Sequence, residues 1–382
     1  MVLLSLAAVV AVVALFIVFV VLRQDSGGSA DRSDGGDDRT EDSNDDGSES
    51  SDEPTAPEAP DGSDEDPAAG GPSGSDEATP TGAAFQPDSV AVDAASVWVT
   101  DAACGVVVRI DKRTEEVTGA VVVGSSASGV AIAANSVWVG TRDDGSVSQI
   151  DPDEFVVTAE VPLPGSALGV TADGDDVWAT DPFDSVLYRI DAATARLVET
   201  TPVGLDPHHV TVVDGTAWVT NHGDGTVTVI DVDEMSRPVD VAAGATPLHV
   251  EVGGGSAWVT NNLDGTVTRL DDQTGEVQAV IEVGTWPHAL AYTPDAVWVG
   301  TESGTFWRID PDTNTATLVE DATFSSIDTV VDGTDIWVAD ALGGTVIRFD
   351  TATGSVGSVV DLADFGDCQT FEGGFEPRPD PS

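Results

Sequence analysis

Five histidines stand where groups that bind metals or move protons could be expected. His208 and His209 are adjacent, His222 follows in the same stretch "PHHVTVVDGTAWVTNHGDGTVTVID", His249 comes 40 residues after His209, and His288 comes 39 after that. A neutral imidazole is a good ligand for zinc, copper or nickel, and it titrates near neutral pH, so it also serves as a general base. Other familiar chemistry is missing from the chain: there is no H-E-x-x-H, no G-x-S-x-G, no P-loop and no dinucleotide fingerprint. What these imidazoles can do depends on whether the fold gathers them.

The elements that would gather them are repeats. Tryptophans fall at 98, 138, 178, 218, 258, 298 and 337, a spacing of 40 and then 39. Each copy ends a later strand with an aspartate: Asp111, Asp151, Asp191, Asp231, Asp271, Asp310 and Asp350. Between these marks run alternating β-branched residues, Asp-Gly turns and Thr-Gly turns, which predict four short strands per copy. The reading is an all-β, seven-bladed β-propeller with four antiparallel strands per blade over residues 83–366. The tryptophans are expected to fill the space between blades. The repeated aspartates are expected to cap turns, since a cap is needed in every blade and a catalytic group only once.

The repeat "aWVTNnxDGTVtriDxxTGeVxxxixVGxxPhxvav" resembles the YVTN-type β-propeller repeat, related to the NHL and virginiamycin B lyase-like propellers, over roughly residues 84–363. The resemblance implies the propeller fold. It leaves function open, because such relatives include surface and periplasmic binding proteins, extracytoplasmic sensor domains and a metal-dependent lyase. The lyase implies a histidine base, nearby glutamates and magnesium; the nearest glutamates here are Glu251 and Glu302, and neither is assigned to its pattern.

In a propeller the first strand of each blade lines the central channel, and its start shares a face with the end of the second strand. The positions opening the inner strands are Asp88 and Ser89, Ser128 and Gly129, Leu168 and Gly169, His208 and His209, Leu248 and His249, His288 and Ala289, and Ile327 and Asp328. All five histidines are therefore predicted on one face, over three consecutive blades, with Asn221, Asn261, Glu302, Arg142 and Trp286 at the same rim. Three readings of this cluster remain open. The imidazoles could hydrogen-bond loop backbone. They could join His208, His209, Asn221, His222, His249, Asn261, Trp286, His288, Glu302 and Asp328 in a site for a small polar ligand or protein partner. Or His208, or His209 in its place, could hold a divalent metal with His249 and His288, the one cofactor considered.

Residues 2–22, "VLLSLAAVVAVVALFIVFVVL", span about 30 Å as a helix and lack a basic start, so an uncleaved transmembrane anchor over 1–23 is expected, with the propeller outside. Residues 24–82 combine acids, Ser, Gly and Pro with alanine as the only apolar side chain, which predicts a disordered acidic linker. Asp42, Asn44, Asp46, Gly47 and Glu53 match the calcium-loop pattern inside this linker; without a helix on either flank the match is attributed to its density of aspartate. Cys104 follows the second strand of blade one and Cys368 the last strand of blade seven; ring closure makes these blades neighbours, so a disulfide clasp is expected, with a tail over 367–382.

A formal net charge of -54 repels phosphates, which argues against nucleic acid or an anionic lipid surface as partner. Taken together, the chain reads as a membrane-anchored, extracytoplasmic, monomeric propeller that binds at a His-rich face. A metal-dependent lyase-like enzyme is the alternative, and a structural cell-envelope protein the second. With Lys112 as the only lysine, the composition also reads as halophilic. Salt should then screen self-repulsion: raising NaCl from about 0.1 M to about 2 M is expected to raise the melting temperature. A flat or falling response would remove the salt-adapted reading.

Overall fold

The computed structural model describes residues 85–235, 238–319 and 324–365. The expected anchor, linker and C-terminal tail lie outside the described residues, and no helix among the described residues is long and apolar enough to cross a membrane. Seven sheets of four antiparallel strands span residues 87–122, 127–162, 170–202, 207–242, 247–282, 287–319 and 326–361, each built from strands consecutive in sequence. The seven-bladed propeller is as the repeat predicts. Its strands are β1 to β28 in chain order, four per blade. The inner ones are β1 (Pro87–Val92), β5 (Ala127–Ala133), β9 (Val170–Asp173), β13 (Pro207–Val213), β17 (Pro247–Gly253), β21 (Pro287–Thr293) and β25 (Ser326–Asp332).

The core follows from the alternation of each second strand. Six of the repeat tryptophans are at most 1% exposed and Trp298 is 4% exposed, and they pack against the next blade: Trp98 with Val130 and Val139, Trp218 with Val250 and Val259, Trp337 with Val90 and Val99. Their cross-strand partners on the third strand include Arg109, Arg189, Arg269 and Arg308, whose guanidinium groups lie 4.7–6.0 Å from the tryptophan rings. Four of the 14 Lys and Arg side chains of the sequence thus lie over tryptophan faces. The repeated aspartates cap turns as expected. Asp111 Oδ1 accepts the amides of Arg113 and Thr114, and the same pattern recurs at Asp151, Asp231, Asp271, Asp310 and Asp350.

Each inner strand but β9 carries a pairing irregularity that periodicity does not reveal. Pairing with the second strand stops after Pro87, Ala127, Pro207, Pro247 and Pro287 and resumes three residues later, leaving a two-residue bulge; in β25 it skips Ile327. The bulge is bridged by a threonine of the second strand. Thr220 Oγ1 accepts the His209 amide at 2.9 Å and donates to the Leu248 carbonyl of the next blade at 2.8 Å. Thr180 and Thr260 do the same toward His208 and His288. Blade two has Gly140 at this position, and there the Ser128 hydroxyl and Gly129 amide reach Leu168 instead.

No sheet mixes the two ends of the described chain, so the ring closes through side chains. Asp328 Oδ2 accepts the Ser89 hydroxyl at 2.6 Å and the Val90 amide at 2.9 Å, Arg348 pairs with Glu115 at 2.9 Å, and Lys112 pairs with Asp332 at 2.7 Å. Cys104 is disulfide-bonded, and its expected partner Cys368 lies outside the described residues. Because Thr220 Oγ1 is buried and serves two blades, Thr220→Val should lower unfolding free energy by about 1–3 kcal/mol in denaturant titration. An unchanged midpoint would show that this bridge is dispensable.

Candidate ligand site at the channel mouth

The bulge decides where the histidines point. A bulge frees its residues from the ladder and re-aims their side chains, and here its first and second positions do different things. The second positions face the channel: Ser89, Gly129, Ala289 and, in the irregular β9 blade, Gly169 are small, while blades four and five place His209 and His249 there. Those two rings stack with centroids 3.7 Å apart. His249 is buried, with Nδ1 3.8 Å from Asp328 Oδ1 and Nε2 3.5 Å from Glu251 Oε1.

The first positions face the rim, where a second recurrent device holds them. The residue two before the bulge adopts a positive φ at Ser126, Asp206, Thr246 and Trp286, and its carbonyl accepts the amide of the residue that follows the second strand: Arg142, His222, Asn262 and Glu302 respectively. Three side chains per blade are thereby drawn together. In blade six His288 Nδ1 lies 3.3 Å from Glu302 Oε1, which also accepts a hydrogen bond from Asn262 Nδ2 at 3.0 Å. In blade four Asp206 Oδ2 meets His222 Nδ1 at 2.9 Å, Asp206 Oδ1 lies 3.6 Å from His208 Nε2, and the two imidazole rings stack at 4.7 Å.

The five histidines fall in separate groupings: His208 with His222, His209 with His249, and His288 with Glu302. His208, His249 and His288 do not converge as a metal trio, because the bulge turns His208 to the rim and His249 inward. Among the described residues the only group of metal-ligating side chains close enough to share an ion is Asp206, His208 and His222. Asn221 and Asn261, expected at the rim, are fully buried inside their blades, where Nδ2 of each donates to two threonines, Thr226 and Thr228 or Thr266 and Thr268. Trp286 contributes its carbonyl and a partly buried side chain. Asp328 is at the mouth, yet its carboxylate is largely taken up by ring closure. Missed by the sequence reading was Asp206, whose signal is the 16-residue spacing to His222 that recurs as 246/262 and 286/302.

Electrostatics separate the mouth from ordinary surface. Burial, with His288 adding to it, lowers His249 from 6.5 to about 3, and burial beside His249 lowers His209 well below the ordinary value, so both rings are neutral at pH 7. Burial raises Asp88, opposed by Arg142 and reinforced by Asp328, to about 6, and raises Asp328 to about 6 as well. Glu251 lies within the channel and burial raises it to about 8, so it carries a proton at neutral pH. Burial works against the Glu302 and Asp206 carboxylates, but His288 with Asn262, and His208 with His222, outweigh it and hold both below the usual range. Two buried imidazole nitrogens here, His209 Nδ1 and His249 Nε2, have no hydrogen-bond partner. The same face bears exposed apolar side chains at Phe183, Leu205, Leu263 and Leu342.

For Glu251 the folded value lies above the ordinary 4.5, so its contribution to stability is fully present below about 4.5 and is lost as pH rises through about 8. Glu251→Gln keeps the shape without the charge. Its melting temperature should exceed that of the parent by a margin that grows from pH 5 to pH 9, and a constant margin would show that Glu251 does not titrate as buried.

No family model matches the chain, and no curated protein matches it. Solved structures do. Hydrazine synthase from Kuenenia stuttgartiensis aligns with a TM-score of 0.63 at 16% identity, covering 73% of this chain and 99% of that one. Virginiamycin B lyase from Staphylococcus aureus aligns with a TM-score of 0.59 at 17% identity, covering 67% and 92%. A functionally unknown protein from Desulfotomaculum acetoxidans gives 0.59 at 16%, covering 73% and 95%. Repeat, blade count and these likenesses agree: the chain is a seven-bladed β-propeller of the architecture found in virginiamycin B lyase-like and related propellers.

Proposed function

We propose that this chain is a membrane-anchored, extracytoplasmic binding protein whose propeller holds a small polar ligand at the channel mouth. The observation that carries the reading is the pair of unpartnered imidazole nitrogens, His209 Nδ1 and His249 Nε2, on two stacked rings at the channel mouth. A buried polar atom without a partner costs about 1–3 kcal/mol, and two such atoms side by side make a site that a ligand with its own donors and acceptors would satisfy. Glu302, Asp88 and Arg142 supply charges around them. The apolar stretch over residues 2–22 and the oxidised state of Cys104 support the outer side of a membrane.

A second reading, lyase-like catalysis assisted by a metal, rests on the His288 and Glu302 contact, an imidazole held by a carboxylate in the manner of an oriented general base. Binding and catalysis separate cleanly. A panel of amino acids, sugars, polyols and small carboxylates should include compounds that raise the melting temperature of the parent protein and leave His288→Ala unmoved, with the compound recovered unchanged. A panel without effect on the parent would remove the small-ligand reading, and chemical conversion of a bound compound would favour the enzyme.

A further inference from the structure

We propose that Asp206, His208 and His222 form a binding site for a zinc-class transition metal dication on the rim of blade four. The geometry is that of an open three-ligand site. His208 Nε2 and His222 Nδ1 approach the two oxygens of one carboxylate at 3.6 and 2.9 Å. Ligands bonded to a tetrahedral ion at about 2.0–2.1 Å sit roughly 3.3–3.4 Å from one another, so the ion requires only that the 2.9 Å contact open by a few tenths of an ångström as the shared proton leaves. Two imidazoles with one carboxylate suit zinc, cobalt or nickel and disfavour magnesium or calcium, which take oxygen. With one carboxylate against a dication the filled site carries net positive charge, which a chain of net charge -54 favours.

The three groups are held in place before any ion arrives. Asp206 is fixed by its positive φ of 53° and by its carbonyl, which accepts the His222 amide at 2.9 Å. The His208 carbonyl accepts the Thr180 hydroxyl at 2.7 Å. All three side chains remain 28–41% exposed, so an ion has a path in and solvent can complete its coordination.

Comparison among blades separates this trio from a requirement of the fold. The same three positions hold Ser126, Ser128 and Arg142 in blade two, Thr246, Leu248 and Asn262 in blade five, and Trp286, His288 and Glu302 in blade six. The backbone device is common to all of these, while a full set of metal ligands occurs in blade four alone among them. A side-chain arrangement needed for folding would recur with the repeat.

The test uses the detergent-solubilised full chain without a His tag, titrated with zinc chloride in excess magnesium so that carboxylate-only sites in the acidic segments are already filled. One equivalent of zinc should bind, and cobalt in its place should give the visible absorption of a low-coordinate site with nitrogen ligands. Asp206→Asn and His222→Gln, the second retaining polarity at the rim should His222→Ala fail to fold, should each weaken zinc more than roughly tenfold. His288→Ala should leave it unchanged, which also separates this site from the proposed ligand site. Absence of stoichiometric zinc in the parent, or zinc binding that survives His222→Gln, would overturn the proposal.

Discussion

The bulges that carry His208, His209 and His249 are held by one bridge: a second-strand threonine that accepts an amide from the bulge of its own blade and donates to a carbonyl at the start of the next inner strand. An inner strand of a propeller has a free edge on the channel side, and a bulge there would leave backbone groups unsatisfied. Thr220 and Thr260 satisfy them and tie neighbouring blades together with the same atom, and Thr180 makes the same bridge from blade three, whose inner strand pairs regularly. In blade four the bridge braces the bulge, and the bulge aims His208 at the rim and His209 at the channel. Where the threonine is absent the packing adapts locally. Gly140 hands the task to Ser128, and a side chain at Gly300 would collide with Ser326.

At the junction of the first and last blades the same task falls to a charged residue. Ala339 occupies the threonine position of blade seven, and Asp328 instead accepts hydrogen bonds from Ser89 and Val90 across the junction. This makes Asp328 a closure residue that also faces the histidines, so the electrostatics of the channel and the integrity of the ring are linked through one carboxylate. Burial pushes the acids of the mouth up and its imidazoles down, so His249, His209 and Glu251 are all uncharged at neutral pH. A mouth inside a strongly acidic molecule is thereby kept close to neutral, which suits recognition by hydrogen bonds more than by bulk charge. The rim differs: Asp206 and Glu302 stay ionised beside imidazoles, and that is where a cation is favoured.

Much of this was legible from the amino-acid sequence. The tryptophan spacing, the turn signals and the capping aspartates specify seven four-stranded blades because each is a local requirement repeated in every copy. The expectation that all five histidines share one face followed from strand order alone. Their grouping did not follow. The sequence grouped His208, or His209 in its place, with His249 and His288 as one metal trio, whereas the bulge assigns adjacent residues to different surfaces. Asn221 and Asn261 read as rim residues by position but turn inward to threonines of their own blades. Asp206 went unnoticed because its partnership with His222 is made by a carbonyl across a loop, in a left-handed conformation that residue type only weakly signals.

What the sequence determined by itself was the repeat, and with it the blade count, the tryptophan core and the capped turns, since hydrophobic period and turn chemistry act over a few residues. Tertiary structure decided which side chains meet. The convergence of Asp206 with His208 and His222, the stacking of His209 on His249, and the use of Asp328 to close the ring all depend on how far one inner strand slips against its partner and on hydrogen bonds between blades. Those are long-range contacts, set by packing that no local pattern encodes.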